Sequence, residues 1–441
     1  MLMDILRESM NVVATDQDQK MQKNVQAQSE RINAIDFLKG FAMFWIMFVH
    51  LGAYWNDNSW TSLWRIMWLF LDWLGPSIFI SITVIGTMIS IKKKELAGKT
   101  KGMGINALKK FSYLFLVGEI MNYIIDARNP THLGAWHALG MNMITAVAFA
   151  QLSVYAFIKL SQRQRAFLLV ILTAGFPLLF NYCAQGLNYN FYTMNNLAME
   201  DLTTAPAILY YLLFYIPAMI PTYCWLILML ATMIVFNGFI DFKVKIAFLM
   251  ACSPNASMRL KQWQAYHANR LFWIGVVIVI LTIFMGGYAL VDKSVAGTYV
   301  SLWNTDPFRI WNLSGVPLFL YRNNPFSLFY FLGIFLMAFG ACYHWRDMHR
   351  KSTRAETRTE NFGRYSFTIF MYSTLFDLIP LHLPVIPFFA LFTLMEFGLF
   401  LVFQVWNDKA GGIGSLEWLE KKYLLGLSML EKKIKESKGK T

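Results

Sequence analysis

The chain alternates between long apolar runs and short polar connections. Ten of the apolar runs are long enough to cross a bilayer as a helix, which needs about 20 residues. They cover residues 35–55, 67–91, 107–125, 137–159, 165–184, 211–237, 271–290, 326–344, 363–380 and 385–406. The pattern predicts an all-α polytopic membrane protein, a bundle of about 10 transmembrane helices (10–11). The sixth run contains Pro217 and Pro221, so it also fits a short re-entrant piece followed by a full span.

Composition supports a membrane protein and gives it an orientation. Of the 441 residues, 56% are hydrophobic and 15% are charged, whereas soluble domains carry about 25% charged residues. The net charge of +13 is concentrated in alternate short loops, as the positive-inside rule describes for cytoplasmic loops. This distribution argues against nucleic-acid binding and predicts that both termini are cytoplasmic. We expect an integral, multi-pass protein of a prokaryotic plasma membrane.

Three regions follow from the polar boundaries of the bundle. Residues 1–30 are polar, lack the apolar core of a signal peptide, and are predicted to form a cytoplasmic N-terminal tail. Residues 31–408 hold the transmembrane domain. Residues 409–441 are amphipathic and basic, which suits a helix lying on an anionic membrane surface. The four cysteines show neither metal nor disulfide spacing.

The first span carries ionisable residues that hydrocarbon disfavours. Asp36, Lys39 and His50 are spaced so that they fall on one helix face. The step from Asp36 to His50 corresponds to about 21 Å of helical rise. Charged side chains inside a span usually face protein or a water-filled cavity. This face therefore carries an acid–base pair at its cytoplasmic end and an imidazole at its outer end.

The next three spans add polar side chains at a similar outer depth. These side chains are Asp72, Glu119, Asn122, Asp126, His137 and Asn142. Because such groups are costly in lipid, four consecutive helices that carry them are predicted to converge on a cavity. Each residue taken alone also has an ordinary structural role, as a solvated helix end, a brace for a kink or a partner for a neighbouring helix. The convergence, more than any single residue, favours a functional site.

Several of these segments carry a family resemblance. The spacing of Arg31, Asp36, Lys39-Gly40 and His50 resembles the motif that opens the transmembrane acyltransferase superfamily. That superfamily includes acyltransferase-3 proteins and relatives of heparan-α-glucosaminide N-acetyltransferase. Four further segments resemble the same family, so the resemblance covers roughly residues 31–420: they are Asp72–Ser90, Gly134–Gly140, Gly363–Ser366 and Gly414–Leu419. Residues 55–59 hold no histidine, where the lysosomal sugar-acetyltransferase branch has its catalytic one. This departure weakens glucosamine as the substrate but not acyl transfer itself.

The resemblance implies an acyl donor and an acceptor on opposite sides of the membrane. An acyl group, most often acetyl from cytosolic acetyl-CoA, would pass to a hydroxyl or amine of a sugar, a glycan or a lipid-linked acceptor at the outer face. No metal is expected, membrane lipid surrounds the protein, and a homodimer is compatible with this interpretation. Arginine and lysine suit phosphate binding. The residues assigned to the cofactor are Arg31, Asp36, Lys39, Lys109 and Arg364.

The expected general base is His50, because an imidazole titrates near neutral pH and can remove the acceptor's proton. Asp72 would orient that imidazole, His137 is the competing base, and Glu119 is a further catalytic candidate. The alternative is a proton-coupled transporter or flippase that uses the same residues as a proton relay. Against it, the chain shows neither an internal repeat nor paired broken helices. A third interpretation is a membrane protein that keeps this fold without the activity.

Overall fold

The structure of the protein is a computed structural model. It describes residues 32–57, 59–60, 74–128, 142–185, 204–214, 222–252, 257–287, 317–320, 325–348, 353–376 and 379–438, with isolated positions between 61 and 73. Over these residues the chain is helical almost throughout, and an isolated parallel bridge joins Asn56 and Leu383. The prediction of an all-α protein is confirmed for this part of the chain.

The described ranges contain thirteen α-helices. They are α1 (Asn33–Trp55), α2 (Leu74–Leu96), α3 (Met103–Arg128), α4 (Met143–Phe157), α5 (Gln162–Gln185), α6 (Ala205–Phe214), α7 (Thr222–Cys252), α8 (Ser257–Thr282), α9 (Pro325–Tyr343), α10 (Arg354–Arg364), α11 (Ser366–Phe376), α12 (Val385–Ala410) and α13 (Leu416–Lys438). The α8 and α9 helices each end in a π-helical turn, at Ile283–Gly287 and His344–Met348 respectively.

Six helices of the described ranges are long and apolar enough to cross a membrane: α1, α2, α7, α8, α9 and α12. The α4 and α11 helices are apolar but shorter, and α3 and α5 are long but less apolar. All ten predicted runs overlap helices, and the sixth run is divided into the short α6 and the long α7. The chain is therefore a helical protein suited to a membrane. The count of ten spans stays a prediction.

Burial separates central helices from peripheral ones. The apolar windows of α2 and α7 are 67% and 72% buried, whereas those of α8 and α12 are only 22% and 11% buried. Since apolar side chains exposed over a whole helix face would be unfavourable in water, α8 and α12 are the helices that most clearly need a lipid environment.

The α1 helix lies at the centre of one half of the bundle. It packs against α2, α9, α10, α11 and α12. Its C-terminal end is fastened to the connection between α11 and α12: the indole N–H of Trp55 donates to the Ile379 carbonyl at 3.1 Å, and the Leu383 N–H donates to the Trp55 carbonyl at 2.7 Å. Trp60 donates its indole N–H to Leu383 O at 3.1 Å. The C-terminal end of α1 is thus fixed in place by backbone and indole hydrogen bonds.

Candidate functional site

The α1 and α10 helices cross at two glycines, and this crossing lies beside two of the predicted cofactor residues. A methyl group at Gly40 would lie closer than 3.0 Å to the Thr359 carbonyl, and one at Gly363 would lie closer than 3.0 Å to the Asp36 carbonyl. Small residues allow such a close approach of helix backbones in membranes. Lys39 directly precedes Gly40, and Arg364 directly follows Gly363. The sequence-predicted segments at 36–40 and 363–366 are therefore in direct contact.

A buried ion-pair cluster lies next to this crossing. Arg346 donates from Nη1 to Glu356 Oε2 at 2.6 Å and from Nε to Glu360 Oε1 at 3.1 Å, and its Nη2 also donates to Glu360. The residues Arg346, Glu356 and Glu360 are only 4%, 9% and 5% exposed. Because buried charges are costly unless they are paired and hydrogen-bonded, this cluster fixes α10 against the end of α9.

The neighbouring carboxylate caps the first span. Asp347 accepts from the backbone N–H groups of Asn33 at 2.9 Å and Ala34 at 3.0 Å. The first turn of a helix leaves its N–H groups without intrahelical partners, and a carboxylate there also interacts favourably with the helix dipole. The start of α1 is therefore set by a side chain more than 300 residues further along the chain.

A third predicted segment meets the same region through α13. Glu417 accepts from the Phe367 N–H at 2.9 Å and from the Thr368 hydroxyl at 2.6 Å, and the Leu416 N–H donates to that hydroxyl oxygen at 2.8 Å. Glu417 thus caps the N-terminus of α11 from another helix. Burial raises the pKa of Glu417, and these hydrogen bonds partly oppose that rise. The segments around residues 40, 363 and 417 form one continuous structure, called here the inner junction.

The predicted cofactor residues lie around the inner junction with different degrees of exposure. Asp36 is only 4% exposed and lies within the crossing of the helices. Lys39, Lys109 and Arg364 are half-buried. The Nε of Arg364 is buried and has no hydrogen-bond partner in the described part of the chain. Arg31 lies outside the described residues.

Lys109 belongs to the part of α3 that contacts α13. Close by on α3, the Tyr113 hydroxyl donates to the Leu416 carbonyl at 2.7 Å, and Ser112 and Tyr423 share a hydrogen bond of 3.1 Å. Since Glu417 joins the same helix α13 to α11, Lys109 approaches the inner junction from the α3 side. Lys109 therefore lies on a helix that contacts α13, the helix that carries Glu417.

The predicted catalytic residues are only partly described. His50 is half-buried, and its ring lies edge-to-face with that of Phe370 on α11, with 6.1 Å between centroids. Glu119 is half-buried on α3, where its Oε1 is buried without a hydrogen-bond partner in the described residues. The α11 helix contacts both α1 and α3, the helices that carry these two candidates. Asp72 and His137 lie outside the described residues, as does the side chain of Asp126.

The structure gives Asn122 and Asn142 a structural role. Asn142 caps α4, where its Oδ1 accepts from the N–H groups of Ile144 at 2.8 Å and Thr145 at 2.9 Å. Its Nδ2 donates to Asn122 Oδ1 at 2.8 Å and to the Gly118 carbonyl at 2.6 Å. Every polar atom of the Asn142 side chain is used within this network. These two amides hold α3 and α4 together and need no ligand to explain them.

One buried carboxyl was not predicted from the sequence. Glu396 on α12 is 4% exposed, and neither of its carboxyl oxygens has a hydrogen-bond partner in the described part of the chain. Phe392 and Phe400 lie one turn away on the same face, where they contact Phe48 and Phe44 of α1. A lone glutamate inside the apolar run 385–406 was the available signal, because intramembrane ionisable residues are functional candidates by default.

Comparison of the chain with protein-family models, with curated proteins and with solved structures finds no match.

Proposed function

We propose that the protein is an integral membrane acyltransferase. It would move an acyl group, acetyl in the simplest case, from cytosolic acyl-CoA to a hydroxyl or amine of a sugar, glycan or lipid-linked acceptor at the outer face. The observation that carries the proposal is the inner junction. Three segments that resemble one enzyme family, at residues 36–40, 363–366 and 414–419, are far apart in sequence. The first contacts Gly363 of the second, and Glu417 of the third bonds to Phe367 and Thr368, directly after the second.

The proposal includes ten spans with both termini in the cytoplasm, which would expose the inner junction to cytosolic acyl-CoA. Single cysteines at the exposed positions Ser59 and Lys99, in a protein without its natural cysteines, would be labelled with a membrane-impermeant maleimide. We expect Ser59→Cys to react from outside and Lys99→Cys only after the membrane is opened. Reaction of both from the same side would contradict this topology.

The cofactor part of the proposal concerns Arg364. Its guanidinium has an Nε without a partner, and a charge-assisted hydrogen bond to phosphate contributes about 1.5–3 kcal/mol. We expect Arg364→Gln to weaken acetyl-CoA binding at least tenfold in calorimetric titration of purified protein. Arg358→Gln is the matched control, since Arg358 is an exposed arginine on the same helix. Equal affinity of the two variants would remove Arg364 from the cofactor site.

The catalytic part concerns His50. Loss of a general base typically lowers a rate by about 10²–10⁴-fold. His50→Ala and His50→Gln should therefore abolish transfer from labelled acetyl-CoA to a panel of sugar and lipid-linked acceptors, with acetyl-CoA binding retained. His137→Ala is the comparison. If both His50 variants transfer normally and His137→Ala is inactive, His137 is the general base in place of His50. Full activity of all three variants would contradict the enzyme proposal.

A proton-coupled transporter or flippase is the second candidate, and Glu396 is the observation that favours it. The residue lies about 16 Å along α12 from Val385, near the middle of a hydrocarbon core about 30 Å thick. A carboxyl buried among phenylalanines without a partner is expected to bind a proton. Such a group is a usual component of intramembrane proton pathways.

Carbodiimide labelling distinguishes this candidate. Dicyclohexylcarbodiimide partitions into membranes and reacts with protonated carboxyls, so it should modify Glu396 at neutral pH and leave Glu396→Gln unlabelled, as seen by peptide mass spectrometry. The exposed Glu95 serves as the internal comparison. Loss of substrate-driven proton uptake by proteoliposomes after labelling would support the transporter. A Glu396 that does not react would remove the support for it.

A further inference from the structure

A pocket between α5, α7 and α8 is separate from the inner junction and from Glu396. It has a volume of about 160 Å³, and the polar residues along its wall are Gln162, Asn237, His267 and Arg270. On the same measure this is roughly ten times the volume that one water molecule needs. Gly238 also lines it, and a methyl group there would meet no atom within 4 Å. The space is large enough for a phosphate-sized group.

The pocket lies within the apolar windows of two helices, near their basic ends. Arg270 is eight residues into the window Gln262–Met285, and Asn237 is seven residues from the end of the window Thr222–Val244. Both positions are therefore about 10–12 Å inside the windows. Exposed aromatic side chains on α8 mark the same level, as expected where headgroups meet hydrocarbon: they are Trp263, Tyr266 and Trp273, which are 53%, 55% and 63% exposed.

The charge at this level is positive and incompletely balanced. Lys92 is paired with Asp241 and also donates to Asn237 Oδ1 at 3.1 Å, while Arg165 donates to Asn237 Oδ1 at 3.4 Å. Arg270 is an additional cation. It is exposed, and within the described residues it has no hydrogen bond and no ion pair. Among the residues that the structure describes, those lining the pocket include neither aspartate nor glutamate.

An exposed arginine at this depth requires an anionic partner or contact with water, because a lone charge beside hydrocarbon costs several kcal/mol. The described residues of the pocket wall supply no carboxylate, and the pocket lies where lipid surrounds α8. Basic pockets between transmembrane helices are known as sites for the headgroups of anionic lipids. The absence of acidic lining residues disfavours a zwitterionic lipid, whose amine would find no carboxylate.

We propose that this pocket binds the phosphate of an anionic phospholipid from the leaflet at the basic end of the bundle. Arg270 is the charged contact, and His267 stands one turn before it on the same face of α8. Gly238 keeps the pocket open, since any larger side chain there would occupy it. The acyl chains of the lipid would lie along the exposed surface of α8. This inference is independent of the acyltransferase proposal.

Native mass spectrometry of the full chain, released from nanodiscs of equal phosphatidylglycerol and phosphatidylcholine, tests the proposal. Wild type should retain phosphatidylglycerol in preference to phosphatidylcholine. Arg270→Gln and Gly238→Leu should each lower the retained phosphatidylglycerol about tenfold, because one loses a charge-assisted contact and the other fills the pocket. Arg163→Gln, which removes an exposed arginine outside the pocket, should retain as much as wild type.

Three results would overturn the inference. One is equal retention of the two lipids by wild type. The second is an equal loss in Arg163→Gln and Arg270→Gln, which would indicate diffuse attraction by the basic surface. The third is displacement of the bound lipid by excess inorganic phosphate, which would make the ligand a soluble anion. Gly238→Leu keeps every charge, so it decides the matter even if Arg270→Gln does not fold.

Discussion

The sharpest prediction concerns Gly363 at the crossing of α1 and α10. A methyl group at this position would lie closer than 3.0 Å to the Asp36 carbonyl oxygen and 2.7 Å from the Gly40 nitrogen. Both are backbone atoms of α1, so neither can rotate away as the end of a flexible side chain would. Gly363→Ala therefore forces the two helices apart.

The size of the effect follows from the distances. An ordinary van der Waals contact begins at 3.4 Å, so the Gly40 contact alone requires a shift of 0.7 Å, the difference between 3.4 and 2.7 Å. A radial gap of about 0.5–1 Å forfeits a quarter to a half of the dispersion well for each contact. The stacked rings of Phe44 and Phe362, with centroids 5.3 Å apart, are among the contacts that would loosen. Overpacking of this kind costs about 1–3 kcal/mol.

In a protein whose Cys252 and Cys342 are replaced by serine, a thiol-reactive fluorophore measures the consequence, because Cys183 and Cys224 are 0% exposed in the folded protein and react only on unfolding. At one fixed heating rate, the apparent Tm of Gly363→Ala should fall by a few degrees. Gly398→Ala is the control, since a methyl group on that α12 glycine meets nothing within 4 Å. An unchanged Tm for Gly363→Ala would refute the reasoning, as would an equal fall for Gly398→Ala.

Three further predictions use the same assay. Glu417→Ala should destabilise by about 1–2 kcal/mol, because it uncaps α11, and Glu417→Gln should cost less because it keeps an acceptor oxygen. Asn142→Ala should cost about 0.5–2 kcal/mol as a lost helix cap, plus the penalty for the amide it leaves unpaired in the network. Arg346→Leu should cost about 3–5 kcal/mol, because it leaves two buried carboxylates without their neutralising cation. Adding Glu356→Gln and Glu360→Gln to Arg346→Leu should recover much of that loss.

Exposed positions supply the controls for these three predictions. Asn106→Ala on α3 and Arg358→Leu on α10 remove the same side-chain types where the side chain is exposed, so both should stay within about 0.5 kcal/mol of wild type. A large loss in either control would mean that the assay reports general damage. A neutral Arg346→Leu would mean that the buried cluster does not stabilise the bundle.

Hydropathy predicted where helices lie because a span must satisfy its backbone internally and be apolar over a fixed length. It does not predict α10, which is polar along its sequence and lies largely before the ninth apolar run. Contacts with other elements hold that helix in place. Arg346 neutralises Glu356 and Glu360, and Gly363 allows the close approach of α1. Such pairings join separate elements, so no local pattern contains them.

The candidate site, too, could be predicted from the sequence only in part. The spacing of Lys39-Gly40 and of Gly363-Arg364 was readable, but only the structure brings the two segments into contact. Asn142 was recognisable as an intramembrane polar residue, and its role as a helix cap depends on Gly118 and Asn122 of another helix. Glu396 was missed because a single glutamate hardly changes the hydropathy of a long apolar run.

The α11 helix contacts both ends of the proposed site, the inner junction and His50. Its N-terminus is held by Glu417 at the inner junction, and Phe370, four residues after Ser366, contacts the ring of His50. Beyond its C-terminal end, the Ile379 carbonyl accepts a hydrogen bond from the indole N–H of Trp55, at the C-terminal end of α1. A helix of eleven residues is short enough to move as a rigid unit. Any displacement at the inner junction that shifts α11 must therefore change the packing around His50, which is the coupling that transfer across a membrane would require.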